Sequence, residues 1–134
     1  MLPKIGVGAV IFDKYGRVLL GYRKSKLGFY ESCWFIPCGS DYDEEPKDAI
    51  VRELKEEANL EIKVIKEVYN KPNERGIPEI AYSCRIVKGK LRNNEPDKCG
   101  GLEYFELDNL PKNTGRRTLE ILRKAGRYAY HYRI

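Results

Sequence analysis

Apolar and polar positions along this chain follow two periods, and the switch between them marks out its elements. Ile5 to Phe12 is a short apolar run rich in β-branched residues and glycine. Asp13-Lys14-Tyr15-Gly16 is a turn signal, and Arg17 to Tyr22 reads as a second strand, so the pair predicts a hairpin. Leu27 to Cys33 reads as a loop, and the segment from Trp34 to Glu45 continues as one. The period then becomes helical. Pro46 suits the first helical position, where its missing N–H costs nothing. Ala49, Ile50, Val51, Leu54 and Ala58 form an apolar stripe, and Asn59 stands where a left-handed residue would end the helix. Glu61 to Tyr69 alternates imperfectly and predicts a strand; Asn70 to Gly76 predicts a loop. Ile80, Tyr82, Cys84 and Ile86 alternate cleanly with polar or small residues, a half-buried strand turned by Lys88-Gly89-Lys90. Leu91 to Gly101 is polar and rich in turn residues, and Leu102 to Leu107 is a further strand. Thr114 can cap a last helix over Gly115 to Ala125, with Leu119 and Leu122 inward and Gly126 at its end. The tail places Tyr128, Tyr130 and Tyr132 at alternate positions, which suits an edge strand, packing on a sheet, or a partner subunit.

Mixed strands with a central and a C-terminal helix predict an α/β (α+β) sandwich. The 134 residues suit one domain, 1–134, large enough to bury a core without staples. Hydrophobic residues at 42% and charged residues at 34% are ordinary for a globular chain. The net charge of +5 favours anionic partners, and only weakly. Cys33, Cys38, Cys84 and Cys99 form no C-x-x-C pair and no zinc spacing. With no signal-peptide pattern ahead of them, reduced thiols and a cytoplasmic location are the expectation. No run approaches the roughly 18 apolar residues of a membrane span. Gly6 and Gly8 make a G-x-G, but no helix follows, so it is not a dinucleotide fingerprint.

Against the basic balance, the acid-rich run from Asp41 to Glu57 stands out. Glu53, Glu56 and Glu57 sit at i, i+3 and i+4 and share one helical face. Like charges at that spacing repel, and a divalent cation offsets the repulsion; hard oxygen ligands select Mg²⁺, Mn²⁺ or Ca²⁺ over zinc. A bare E-x-x-E-E is more often a solvated acidic face. The neighbouring residues change that weighting. Glu44, seven residues, Arg52-Glu53-Leu54, one residue, Glu56-Glu57, one residue, Asn59-Leu60 resembles the box of the Nudix hydrolase family, G-x5-E-x7-R-E-U-x-E-E-x-G-U with U apolar. Trp34-Phe35-Ile36-Pro37 resembles the family's lead-in to a Gly-Gly pair. There are three departures: Cys38 replaces the first glycine of that pair, Gly39 precedes Glu44 by four residues rather than five, and Asn59 replaces the last glycine. The E-P-D-K-C loop from Glu95 to Cys99, followed by a strand and Leu110-Pro111, resembles the C-terminal half of the family's MutT-like nucleoside-triphosphate diphosphatases.

The resemblance covers nearly the whole chain and implies a Nudix-type α/β/α sandwich with a mixed sheet. It implies hydrolysis of a nucleoside diphosphate linked to some group X, and by pattern a (deoxy)nucleoside triphosphate cleaved to monophosphate and pyrophosphate. The same-class alternative is an ADP-ribose or nucleotide-sugar hydrolase, and the other-class alternative is a nucleotide sensor that does not cleave. Glu53, Glu56 and Glu57, with the Gly39 carbonyl, would hold Mg²⁺ (or Mn²⁺). Arg52 and Glu44 would orient those glutamates, and the general base stays open between a box glutamate and Glu95, Asp97 or Glu103. Arg23 would face the phosphates, since a guanidinium grips phosphate with two hydrogen bonds. Phe29, Tyr30 and Trp34 would offer a stacking face, or serve as core. Expected partners are a nucleotide and no membrane, and RNA is not expected because no dedicated RNA-binding segment is visible. A homodimer stays open. His131 is the sole histidine, which disfavours Cys–His and Ser–His–Asp chemistry.

Overall fold

A computed structural model describes residues 4–23, 32–41 and 43–131. The elements in order are β1 (Ile5–Ile11), β2 (Val18–Arg23), β3 (Cys33–Phe35), β4 (Cys38–Asp41), α1 (Pro46–Ala58), β5 (Glu61–Pro72), β6 (Pro78–Lys88), β7 (Gly101–Phe105) and α2 (Arg116–His131). They form a four-stranded sheet in the order β4-β1-β6-β5 and a three-stranded sheet in the order β3-β2-β7. The first is mixed: β1 runs parallel to β6 and antiparallel to β4.

Two cores lie on either side of β1. Val7, Ala9 and Ile11 pack with Ala49, Ile50, Leu54 and Ala58 of α1. Val10 turns the other way and packs with Ile36 and with Ile121, Leu122 and Ala125 of α2. A strand with opposite faces buried against two helices is the centre of an α/β/α sandwich, as the resemblance implies. Truncating Ile50 or Leu54, both fully buried, to alanine costs about 2–5 kcal/mol.

The helix α1 follows its sequence signals. Pro46 sits in the first turn, and Asn59 ends the helix at φ 61°, ψ 30°. The Leu60 N–H bonds the Leu54 carbonyl and the Asn59 N–H bonds that of Lys55, so the left-handed residue closes the last turn. The Asn59 side chain also donates to the Lys90 carbonyl at 2.9 Å, an anchor glycine would lack. Val51, in the predicted stripe, is exposed.

Four expectations need correction. The predicted hairpin is not one: β1 and β2 share only the bridge Phe12–Val18 and belong to different sheets. The turn itself forms, with Asp13 accepting from the Tyr15 and Arg17 N–H groups, but the edges of β1 are taken by β4 and β6. The segment read as a loop before α1 contains β3 and β4, three and four residues long. Strands that short show no alternation and exist only through their partners, Tyr22 opposite Trp34 and Gly8 opposite Cys38. Strand β5 runs on to Pro72, and register shifts at Glu61/Ile62, Val64/Lys66 and Glu67/Tyr69 account for its imperfect alternation. Helix α2 passes through Gly126 to His131, so the described part of the tail is helix rather than an edge strand, and Tyr132 lies outside the described residues. A glycine inside a helix costs only about 1 kcal/mol, less than the anchoring of Ile121, Leu122 and Ala125 supplies. Thr114 donates its hydroxyl to the Pro111 carbonyl, and Leu119 is half-buried, the inward face being Thr118, Ile121, Leu122 and Ala125.

Candidate active site

One face of α1 carries the acidic residues toward β4. Gly39 lies against Glu53 so closely that a Cβ there would stand 2.5 Å from Glu53 Cδ. Only glycine leaves room for that carboxylate. Glu53 also accepts from Arg52 Nη2 at 3.3 Å. The same guanidinium donates through Nε to Glu44 at 3.1 Å and through Nη1 to Glu56 at 3.0 Å. Arg52 thus ties three carboxylates together, and Glu44, after the shortened loop, meets it. Within that loop Asp43 takes φ 62°.

Glu57 stands beside Glu53 on this face. Burial, a side-chain hydrogen bond with Glu53, the Glu53 charge and the Glu95 charge together push the Glu57 carboxyl up to about 8, with Arg23 opposing. Glu56, 53% exposed, is held by Arg52 rather than in this pair. Of the three acids on the helix face, Glu53 and Glu57 meet directly and Glu56 joins through Arg52. Among the described residues, no three acids, cysteines or histidines are already closed into a ligand set.

The loop after β6 brings Glu95 to this place by capping α1. The Arg92 and Asn94 N–H groups donate to the carbonyls of Ala58 and Glu57, both at 3.0 Å. Asn94 Nδ2 donates to the Glu56 carbonyl at 3.2 Å. These are last-turn carbonyls with no partner inside the helix. The far end of the loop is fixed by Asn93 Nδ2 to the Cys99 carbonyl and by the Gly100 N–H to the Tyr22 carbonyl. A cavity of about 100 Å³ results, whose walls include Arg23, Cys38, Glu57, Glu95, Lys98 and Cys99.

A larger cavity of about 540 Å³ adjoins it on the α2 side, with Arg23, Phe35, Ile36, Cys38 and Gly39 among its walls. Arg23 belongs to both cavities, its guanidinium 6.0 Å from the Phe35 ring centre. Trp34 lines neither. It packs between Tyr22 and Phe105, at ring-centre distances of 5.2 and 4.8 Å, which makes it core. Asp97 and Glu103 are exposed and line neither cavity. Tyr30 and Phe29 lie outside the described residues, and nothing is described of the His131 side chain. Glu79 and Arg117 are cavity residues that the sequence pattern did not single out, each standing among ordinary strand or helix residues with no motif around it; Phe35 and Lys98 lie in the two quoted motifs without having been given a role there.

Cys33, Cys38, Cys84 and Cys99 are not joined in disulfides. Burial pushes the Cys84 thiol up to about 12, and burial together with neighbouring glutamates raises that of Cys38, so neither is an activated nucleophile. Among the described residues, no helix is long and apolar enough to cross a membrane.

A family model described as the NUDIX domain matches residues 2–125. The chain is 32% identical over 116 residues to an ADP-ribose pyrophosphatase of Methanocaldococcus jannaschii, covering 82% of this chain and 66% of that protein. It is 39% identical over 64 residues to an RNA pyrophosphohydrolase of Gluconacetobacter diazotrophicus, covering 44% of this chain and 38% of that one. The chain therefore spans less than two thirds of the length of these curated relatives. Among solved structures, a MutT NUDIX hydrolase from Burkholderia pseudomallei superposes with a TM-score of 0.75 at 28% identity, over 92% of this chain and 98% of the other.

Proposed function

The chain belongs to the NUDIX family, and we propose that it hydrolyses a nucleoside diphosphate linked to a group X, with a (deoxy)nucleoside triphosphate giving a monophosphate and pyrophosphate as the first reading. The observation that carries this is the acidic face of α1, on which Arg52 ties Glu44, Glu53 and Glu56 together while Glu53 packs on Gly39. Glu53, Glu56 and Glu57 gather hard oxygen donors whose charges repel one another, and a divalent cation satisfies such donors. Members of the family generally use divalent metal ions; Mg²⁺ or Mn²⁺ is the reading for this chain. Glu53, Glu57 and Glu56 would hold it, with the Gly39 carbonyl as a backbone ligand. When bound, the cation screens the phosphate charge and lowers the pKa of bound water.

The chain's own residues do the rest. Arg52 holds Glu53 and Glu56 at fixed spacing and is itself oriented by Glu44. Arg23, between the two cavities, grips a phosphate oxygen through its guanidinium. Lys98, in the wall of the smaller cavity, adds a second positive charge there. Glu95, in the wall of that cavity, accepts the proton of the attacking water.

The name of the 32%-identical relative, an ADP-ribose pyrophosphatase, supports a second reading in which X is ribose. Incubation with Mg²⁺ and (d)NTPs, ADP-ribose or nucleotide sugars, with products separated by chromatography, decides. Pyrophosphate with a nucleoside monophosphate is the expected result. AMP with ribose phosphate from ADP-ribose alone would select the second reading, and no turnover of any of them would contradict both.

A further inference from the structure

The larger cavity has a feature that hydrolysis does not require. Its lining includes Gly6 and Gly8, the G-x-G that had no role in the sequence reading. A Cβ at Gly6 would stand 3.1 Å from Glu79 Cγ, and one at Gly8 would stand 2.8 Å from Ile36 Cδ1. The two glycines therefore let the Glu79 and Ile36 side chains lie across β1. Phe35, Ile36, Ile80 and Ile121 make part of the lining apolar. Glu79 and Arg117 make another part polar.

Arg117 Nη1 lies 2.9 Å from Glu79 Oε2, with the two side chains 32% and 29% exposed. The charges attract, and this nitrogen is shut off from solvent. That nitrogen is taken up by the carboxylate, and about a third of each side chain stays exposed, which leaves the remaining guanidinium and carboxylate edges in the cavity wall to a ligand. Cys38 and Gly39 line the same cavity, and Gly39 touches Glu53. A nucleotide with its phosphates at the glutamates thus has room for its base beside Glu79 and Arg117.

We propose that Glu79 and Arg117 read the substrate's base and select guanine, an assignment that rests on the nucleotide reading above. A carboxylate accepts from two donors and a guanidinium fork donates to two acceptors. Guanine alone among the common bases sets two adjacent donors, N2–H and N1–H, beside two adjacent acceptors, O6 and N7. Adenine offers one amino group between two acceptors, cytosine one amino group beside a single ring acceptor, and uracil one imide N–H. The joined Glu79–Arg117 pair matches guanine's order of groups, and the apolar wall with Phe35 suits the ring faces.

The test is equilibrium binding of GMP, IMP, AMP and CMP in chelator, to the wild type and to Glu79→Gln, with melting temperatures as the fold control. GMP binds at least about tenfold tighter than AMP or CMP, and IMP, which lacks the amino group, falls between. Glu79→Gln weakens GMP about tenfold and leaves AMP within about threefold. Gly6→Ala, which displaces Glu79, acts in the same direction. AMP or CMP binding as tightly as GMP, IMP matching GMP, no GMP binding at millimolar concentration, or an undiminished GMP preference in Glu79→Gln would each overturn the assignment. Should the variants not fold, the wild-type GMP-to-IMP ratio decides alone. GMP selectivity without triphosphate turnover would refute the reaction and keep the base assignment. Triphosphate turnover indifferent to the base would do the reverse.

Discussion

The site turns on two residues whose constraints are geometric. Gly39 has no room for a side chain because the Glu53 carboxyl occupies it. Gly39→Ala is therefore expected to displace that carboxyl and lower kcat/KM about a hundredfold, the scale of a 1 Å misplacement. Its melting temperature should stay within a few degrees, since the change lies at the site rather than in either core. Equal activity in the alanine variant would remove Glu53 from the reaction. Arg52 reaches three carboxylates through three different nitrogens. A lysine has one nitrogen on a flexible stem and cannot hold that arrangement, so Arg52→Lys should lower metal affinity about 10–100-fold by calorimetric titration. The shared helical face of the acidic residues was legible from their spacing, and their weight as a candidate site came from the neighbouring residues that resemble the Nudix box. The exclusion at Gly39 was not legible, because it joins a strand to a helix face.

At the scale of elements, the last turn of α1 is where fold and site meet. Its final carbonyls are taken by the backbone and side chains of the loop that carries Glu95, so one set of hydrogen bonds ends the helix and positions an acid. Asn59→Ala places a side chain without local hydrogen bonding in left-handed backbone and removes the bond to Lys90. It should cost about 1–2 kcal/mol by urea denaturation, and Asn59→Gly less than 1 kcal/mol. A neutral Asn59→Ala would mean the left-handed turn is not what ends the helix. The helix was legible because proline, the apolar stripe and Asn59 agree with one another. Strands β3 and β4 were not, since three or four residues carry no period. The separation of β1 from β2 also escaped the pattern, which shows a turn but not which edges each strand offers to the rest of the chain.

At the scale of the whole molecule, the chain is a sheet sandwich whose basic balance surrounds one acidic pair, and the pair links stability to pH. The Glu57 carboxyl holds its proton up to about pH 8 when folded, against an ordinary value near 4.5. Between those values the folded state binds more protons than the unfolded one. This contribution to the metal-free protein's stability is full below about pH 4.5 and is lost as pH rises through about 8. A cation displaces that proton, so the rise in melting temperature on adding Mg²⁺ should be greater at pH 8.5 than at pH 6. An equal rise at both values would contradict metal binding at the pair. The acidic half of the site could be read from its spacing and its resemblance to the Nudix box, whereas Glu79 and Arg117 could not, since they meet only through the topology that sets α2 against β6. The most direct measurement is phosphorus NMR of a nucleoside triphosphate incubated with the wild type and with Glu53→Gln in Mg²⁺. The account predicts pyrophosphate and monophosphate appearing in equal amounts with the wild type, and a rate at least about a hundredfold lower with the variant. Orthophosphate with a diphosphate, or an unchanged rate in Glu53→Gln, would contradict it.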